Sequence, residues 1–269
     1  MIHSDLVRRY QQEGFVVVPG LFSAAETGAY RDHYMALRAK GGYPGDYAGV
    51  NADETDPLKK FPRMIHMHRW DETSLKWMLD ARIGGWLTAL MGVAPFAVQT
   101  MLYFKPAGAR GQALHQDEHY LKSAPADTVA VWMALDRCDE ENGCLLVVPG
   151  SHRLPVLCAG KADTTQSFTE IAAPLPEGTK PVPVIMDPGD ALFFEGHVIH
   201  GSLPNRSADR FRRALIGHYI AGKAEQVAKF YQPALRMDGS AVDLGISQGG
   251  GPCGVWVEKD GAQVVEMKM

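Results

Sequence analysis

From Pro95 onward the chain is a succession of short β-prone runs: "FAVQTMLYF", "TVAVWMALD", "CLLVVPG", "VPVIMD", "ALFFEG", "RALIGHYI", "GVWVE" and "QVVEM". Pro, Gly and Asn-Gly turn signals separate many of them. Short strands punctuated in this way favour an antiparallel sandwich or barrel over a parallel α/β sheet. The first hundred residues have a different texture. A short helix is expected from Ser4 to Glu13, closed by Gly14. Ser23 and Glu26 have capping-box spacing, so a second helix should open there and run to about Lys40, where Gly41-Gly42 stops it. A further helix is expected over roughly Ser74 to Met91, with Leu75, Met78, Leu79, Ile83, Trp86, Leu87 and Leu90 on its apolar face. Between these lies "GGYPGDYAGVNADETDP", a long loop of the kind that serves as a lid or binding segment. The expectation is one mainly β domain, with a helical preface and lid loop over residues 1–94 and a jelly-roll core over 95–269.

Composition excludes several classes of partner. A net charge of −4 gives no electrostatic reason to bind nucleic acid or an anionic membrane. No apolar run approaches the ~18–20 residues needed to span a bilayer, and the opening "MIHSDLVRRYQQEGF" lacks a signal-peptide core. A cytoplasmic protein with a small-molecule substrate is expected. The four cysteines, Cys138, Cys144, Cys158 and Cys253, form no C-x-x-C pair. They read as buried or partly buried thiols of a reducing compartment and not as a disulfide framework.

The chemistry concentrates in "LHQDEHY", residues 114–120. On a helix, His115 and His119 would share a face as in a zinc protease, but that motif needs Glu directly after the first His, and here Gln116 follows. On a strand, His115 and Asp117 share a face two residues apart, a spacing that suits two ligands of one ion. A solvated turn would bind nothing. A third ligand must come from elsewhere, and "GDALFFEGHVIHGS" offers His197 or His200 at the end of an apolar strand. One carboxylate and two histidines form the facial triad that leaves three positions of iron(II) open. The arginine group Arg206, Arg210, Arg212 and Arg213 follows, suited to a co-substrate with a free carboxylate.

Taken in order, "QTMLYFKP", "LHQDEHY", "VWMALD", "ENGCLLVVPGSH", "GDALFFEGHVIHGS" and "FRRALIGHY" resemble the phytanoyl-CoA dioxygenase family of iron(II)- and 2-oxoglutarate-dependent oxygenases. The match covers most of the chain beyond Gln99; the preceding ninety residues match only loosely. The resemblance implies a double-stranded β-helix with iron held by His115, Asp117 and His200, the last because the family's H-G-S signature falls on His200-Gly201-Ser202. It implies that Ser202 and Arg212 hold the distal carboxylate of 2-oxoglutarate, with Met101, Gln116 and Trp132 lining the same pocket. Arg213 competes with Arg212, since neighbours on a strand face opposite ways and one extra residue separates His200 from this pair. His119 is expected to support the pocket without ligating.

The activity so implied is hydroxylation of an unactivated C–H bond with O2, as 2-oxoglutarate is converted to succinate and CO2. The carboxylate at Asp117 favours hydroxylation over halogenation, because the related halogenases carry a small residue there. A non-catalytic barrel that binds a small molecule, or a jelly-roll metalloenzyme without redox chemistry, is the competing reading. Trp132 and Met101 also suit a packed core. His66 and His68 have no third ligand nearby and read as solvated or hydrogen-bonded, and His152 as a turn residue. Lys59, Lys60 and Arg63 read as a solvated face, with attraction of an anionic substrate by one of them as the competing reading.

Overall fold

The computed structural model describes residues 2–46, 53–176, 178–248, 251–259 and 261–268. Ser4–Glu13 is helical and closes on Gly14 in the left-handed region, which glycine adopts without strain. The helix Ala24–Lys40 opens on the expected capping box, Ser23 Oγ accepting from Glu26 N and the Glu26 carboxylate from Ser23 N. The single helix expected between Ser74 and Met91 is instead two, Glu72–Met78 and Ala81–Met91. Asp71 and Asp80 explain the break: each carboxylate caps the N-terminus of one helix. Part of the proposed lid, residues 47–52, lies outside the described residues, and its later part runs into the short helix Pro57–Lys60.

Every β run named above contains a strand. The larger antiparallel sheet runs in the order 15–18, 191–195, 128–134, 214–221, 95–103, 234–236 and 241–242, with 64–65 also pairing on 95–103. The smaller runs 112–115, 200–202, 145–147 and 182–184. Two facing antiparallel sheets of this order form a double-stranded β-helix.

Alternation along the central strand Thr128–Ala134 explains the layers. Val129, Val131 and Met133 join Trp77, Ile83, Trp86, Leu87 and Phe193 in a core beneath the N-terminal helices. Ala130, Trp132 and Ala134 face the other way, toward Leu145, Val147, Val184, Leu192 and Ile216 of the space between the sheets. Burial on both faces makes this strand a continuous apolar run. The helices thereby close the outer face of the large sheet and leave the interior of the barrel for the site.

The cysteine expectation is corrected in part. Cys138 and Cys144 are buried thiols, but Cys158 and Cys253 form a disulfide across 95 residues. The C-terminal hairpin Cys253–Lys259 and Ala262–Lys268 packs beside the loop after residue 154, where Leu157 and Gly254 bridge. Spacing in sequence could not reveal that proximity, and the basis for expecting a reducing compartment goes with it. Among the described residues, no helix is long and apolar enough to cross a membrane.

Candidate active site

His115 ends the strand Gln112–His115, and His200 opens the strand His200–Ser202 directly opposite it, so the register alone brings the two rings within 4.2 Å of each other. Gly201 permits that approach, since a Cβ there would stand 2.7 Å from the Gln112 carbonyl. Asp117 departs from the expected strand. It has right-handed helical backbone and leads into the short helix Glu118–Leu121. Buried Glu118 anchors that turn, its carboxylate accepting from Ser123 N and Thr128 Oγ1, each at 2.6 Å. The turn carries Asp117 back beside the histidines, with Oδ1 3.5 Å from His115 Nε2 and 3.7 Å from His200 Nε2.

These three donors lie within 4.8 Å of one another and form the single such metal-ligating group among the described residues. Each histidine is oriented by a backbone carbonyl: His115 Nδ1 lies 2.9 Å from Ala113 O, and His200 Nδ1 2.9 Å from Val198 O. Carbonyls only accept, so both Nδ1 atoms carry the proton and both Nε2 lone pairs face the centre. Burial and the nearby His115 pull the pKa of His200 down to about 4, which keeps it neutral as a ligand must be. Burial alone would push the Asp117 carboxyl up, but His200, His218 and His115 outweigh it and hold the group well below the usual carboxylate range. Two neutral imidazoles and one carboxylate on one side of a cavity fit iron(II) with open positions.

The cavity beside them measures about 420 Å³ and is lined also by Met101, Tyr103, Tyr120, Trp132, Phe230 and Tyr231. A second cavity of about 340 Å³ shares Arg63, Tyr103, Gln112, Trp132 and Leu145 with the first. Ser202 and Arg212 line this second one. Trp132 stands between the two, with the Arg212 guanidinium 5.1 Å from its ring.

The remaining sequence candidates separate cleanly. Arg213 faces away from the cavities and makes a bidentate pair with Asp136, and Arg210 pairs with Asp139 and Glu141. Arg212 alone of that group lines either of these two cavities. Gln116 departs from expectation: its side chain does not line the metal cavity or the one beyond it. Its amide is fixed by Pro155 O, His197 O and Leu157 N, so it ties two loops together behind the ligands. His197 pairs with Glu195 and is not in the metal-ligating group. His119 packs edge-on against Tyr120. His66 and His68 are buried and not solvated: His68 Nδ1 lies 3.0 Å from Thr100 Oγ1, whereas neither ring nitrogen of His66 has a partner. His152 lies on the 3-10 turn Ser151–Arg153. Lys59 and Arg63 line the second cavity.

Two site residues were missed. His218 places Nε2 3.2 Å from Asp117 Oδ2, and strand parity with Arg212 and Ile216 was a usable signal for it. Lys105 places Nζ 2.8 Å from Ser202 Oγ. Lys105 lies within the motif "QTMLYFKP", but its local sequence carries no sign of Ser202, 97 residues away.

With this geometry in view, the phytanoyl-CoA dioxygenase family model matches residues 10–214 of the 269. The chain belongs to the phytanoyl-CoA dioxygenase family. It is therefore a member of a family of non-haem iron, 2-oxoglutarate-dependent oxygenases that use iron(II), 2-oxoglutarate and O2. The match reaches back through the helical preface, further than the sequence motifs alone extend. The peroxisomal phytanoyl-CoA dioxygenase of Bos taurus is 27% identical over 223 residues, 78% of this chain and 66% of that protein. The chain thus spans about two thirds of that relative's length. The methylphosphonate hydroxylase of Gimesia maris is 26% identical over 239 residues, 83% of each chain. Among solved structures, EvdO2 from Micromonospora carbonacea var. aurantiaca complexed with 2-oxoglutarate superposes with a TM-score of 0.66 at 23% identity, covering 82% of this chain and 92% of the other. The non-heme alpha ketoglutarate dependent epimerase SnoN from nogalamycin biosynthesis gives 0.64 at 23% identity, covering 82% and 83%. These likenesses establish the shared fold.

Proposed function

We propose that this family member is an iron(II)- and 2-oxoglutarate-dependent dioxygenase that hydroxylates an unactivated C–H bond of a small organic molecule, releasing succinate and CO2. The observation that carries the reading is the His115, Asp117 and His200 donor set at the wall of a cavity of about 420 Å³. His115, Asp117 and His200 would hold iron, and Ser202 and Arg212 would take the distal carboxylate of 2-oxoglutarate. When bound, iron with 2-oxoglutarate and O2 supplies the oxidising chemistry.

What the chain contributes is position and dryness. The carbonyls of Ala113 and Val198 fix which histidine nitrogen faces the metal, and His218 fixes the carboxylate. An Arg fork gives charge-assisted hydrogen bonds that orient a carboxylate at a set distance from the ligands. Met101, Phe194 and Ile216 keep water from the wall beside the ligands. Tyr103, Tyr120, Phe230 and Tyr231 surround the space left for the substrate, and their rings suit a compact molecule with an apolar body. A carboxylate at Asp117 supports hydroxylation over halogenation. Epimerisation and ring closure are the competing outcomes, since the structures of similar fold include the epimerase SnoN and the carbocyclase SnoK.

Incubating the iron-loaded protein with 2-oxoglutarate, O2 and a panel of small organic acids, phosphonates and hydroxylated ring compounds tests the proposal. Substrate-dependent succinate release with a product heavier by one oxygen is expected. Substrate-dependent succinate with no oxygen gained would replace hydroxylation by epimerisation or ring closure. Iron binding with no 2-oxoglutarate binding would remove the oxygenase reading.

A further inference from the structure

Lys105 follows the strand Pro95–Tyr103 with φ of 40°, in the left-handed region that a lysine rarely adopts. Its carbonyl accepts from Arg212 N and from the Asn205 amide, each at 3.0 Å, which holds the backbone in that state. The side chain then crosses Gly143, where a Cβ would stand 2.7 Å from Lys105 Cε, so only glycine leaves it room. It ends on Ser202 Oγ at 2.8 Å. Unusual backbone, a glycine beneath the side chain and a half-buried hydroxyl at its tip all direct one ammonium into the second cavity.

Lys105 is 4% exposed and Arg212 3%. Neither has a carboxylate within ion-pair distance among the described residues. Arg212 spends Nε on the Gly143 carbonyl, and its buried Nη1 has no partner. Of the other cations lining this cavity, Lys59 is exposed, Arg110 is committed to the carbonyls of Thr164 and Ser167, and Arg63 reaches the Tyr103 hydroxyl. Ser202 Oγ accepts from Lys105 Nζ and from Gln112 N at 3.1 Å, so both its lone pairs are taken and its own proton is free to donate. Two buried cations and one hydroxyl donor converge on a cavity whose one lining carboxylate, Asp56, is turned to the Leu58 N–H as a helix cap and pairs with neither cation. Buried charge so arranged is costly unless an anion completes it.

We infer that Lys105 is a second cationic anchor, beside Arg212, for the distal carboxylate of 2-oxoglutarate, a role that rests on the proposed function above. Burial and the Arg212 charge hold the Lys105 pKa well below its usual value, and an arriving carboxylate opposes both effects. The same ammonium selects against 2-oxo acids that lack a distal carboxylate, because such a ligand leaves both cations buried and unpaired.

The test compares two ligands on iron-loaded protein under anaerobic conditions, by calorimetry and by the visible band. One is 2-oxoglutarate; the other is 2-oxopentanoate, which has a methyl in place of the distal carboxylate. Lys105→Met should weaken 2-oxoglutarate about 10- to 150-fold, the range for hydrogen bonds to charged groups. It should leave 2-oxopentanoate within about threefold. Lys105→Gln, which keeps a polar head for Ser202, is measured beside it and should lose less, so that one folded variant suffices. Equal losses for both ligands would make Lys105 a structural lysine, and no loss for either would remove it from the site; each overturns the inference. Wild-type protein that binds iron but not 2-oxoglutarate would instead strike the function on which the inference rests.

Discussion

The His218 ring nitrogen Nε2 stands 3.2 Å from Oδ2 of Asp117, so the carboxylate that offers Oδ1 to the two ligand histidines is held at its other oxygen. A carboxylate gripped there cannot rotate freely, and its negative charge is shared with the donor. Losing a partner of this kind typically costs about 10- to 100-fold in metal affinity.

Removing that grip should weaken the metal site without emptying it. His218→Leu is expected to raise the iron(II) dissociation constant about 10- to 100-fold, with the three ligands intact. Competitive chelator titration measures it. A change under about threefold would mean that Asp117 is positioned by its own helical turn alone.

Arg212 and Arg213 are neighbours with separate tasks. Arg212→Ala should cost about 1.5–3 kcal/mol of 2-oxoglutarate affinity, a roughly 10- to 150-fold rise in Kd. Arg213 is turned to Asp136, so Arg213→Ala should change that Kd by less than about threefold while lowering the melting temperature. Anaerobic titration of each iron-loaded variant reads the first effect and thermal unfolding the second. Large loss of affinity in the Arg213 variant would reverse the assignment.

The acid limb of stability should report His66 and His68. Burial lowers their pKa values from 6.5 to about 3 and about 4, respectively. In the window between those values and 6.5 the unfolded chain binds more protons than the folded one, so stability falls as pH falls from about 6.5. Each histidine contributes a slope of up to about 1.4 kcal/mol per pH unit there. His66→Phe, which needs no hydrogen-bond partner and suits the Phe230 ring 4.5 Å away, should flatten that slope by up to one proton's worth. Denaturant midpoints from pH 7 to pH 4 decide it, and an unchanged slope would mean that His66 is solvated.

The Cys158–Cys253 link can be checked without any substrate. Peptide mapping under non-reducing conditions should recover the two peptides joined, with Cys138 and Cys144 as free thiols. Reduction should lower the melting temperature, since closing a long loop is worth about 2–4 kcal/mol in typical cases. Four free thiols in protein purified under oxidising conditions would contradict the link.

How much of this could be read from the residues depends on whether the cause is local. The helix Ser4–Glu13, the capping box at Ser23 and the β runs after Pro95 are set by periodicity and turn chemistry within a few residues, and they were legible. His115 and His200 were legible because a strand end and the H-G-S motif mark them. Asp117 was found for a reason only half right, since it sits on a helical turn held by Glu118 and not on a strand face. The split of one expected helix into two was missed because the apolar periodicity runs unbroken past Asp80, which is an N-cap. Lys105, the Gln116 tie and the Cys158–Cys253 link depend on chain segments about 40 to 100 residues away, where local pattern carries no information.

Iron titration of three proteins under anaerobic conditions tests the centre of the account most directly: wild type, His200→Ala and His197→Ala, each with 2-oxoglutarate present and the visible charge-transfer band as readout. Wild type and His197→Ala should each develop the band with one iron per chain, because His197 is paired with Glu195 outside the ligand group. His200→Ala should show no band. A band in His200→Ala together with its loss in His197→Ala would contradict the triad of His115, Asp117 and His200.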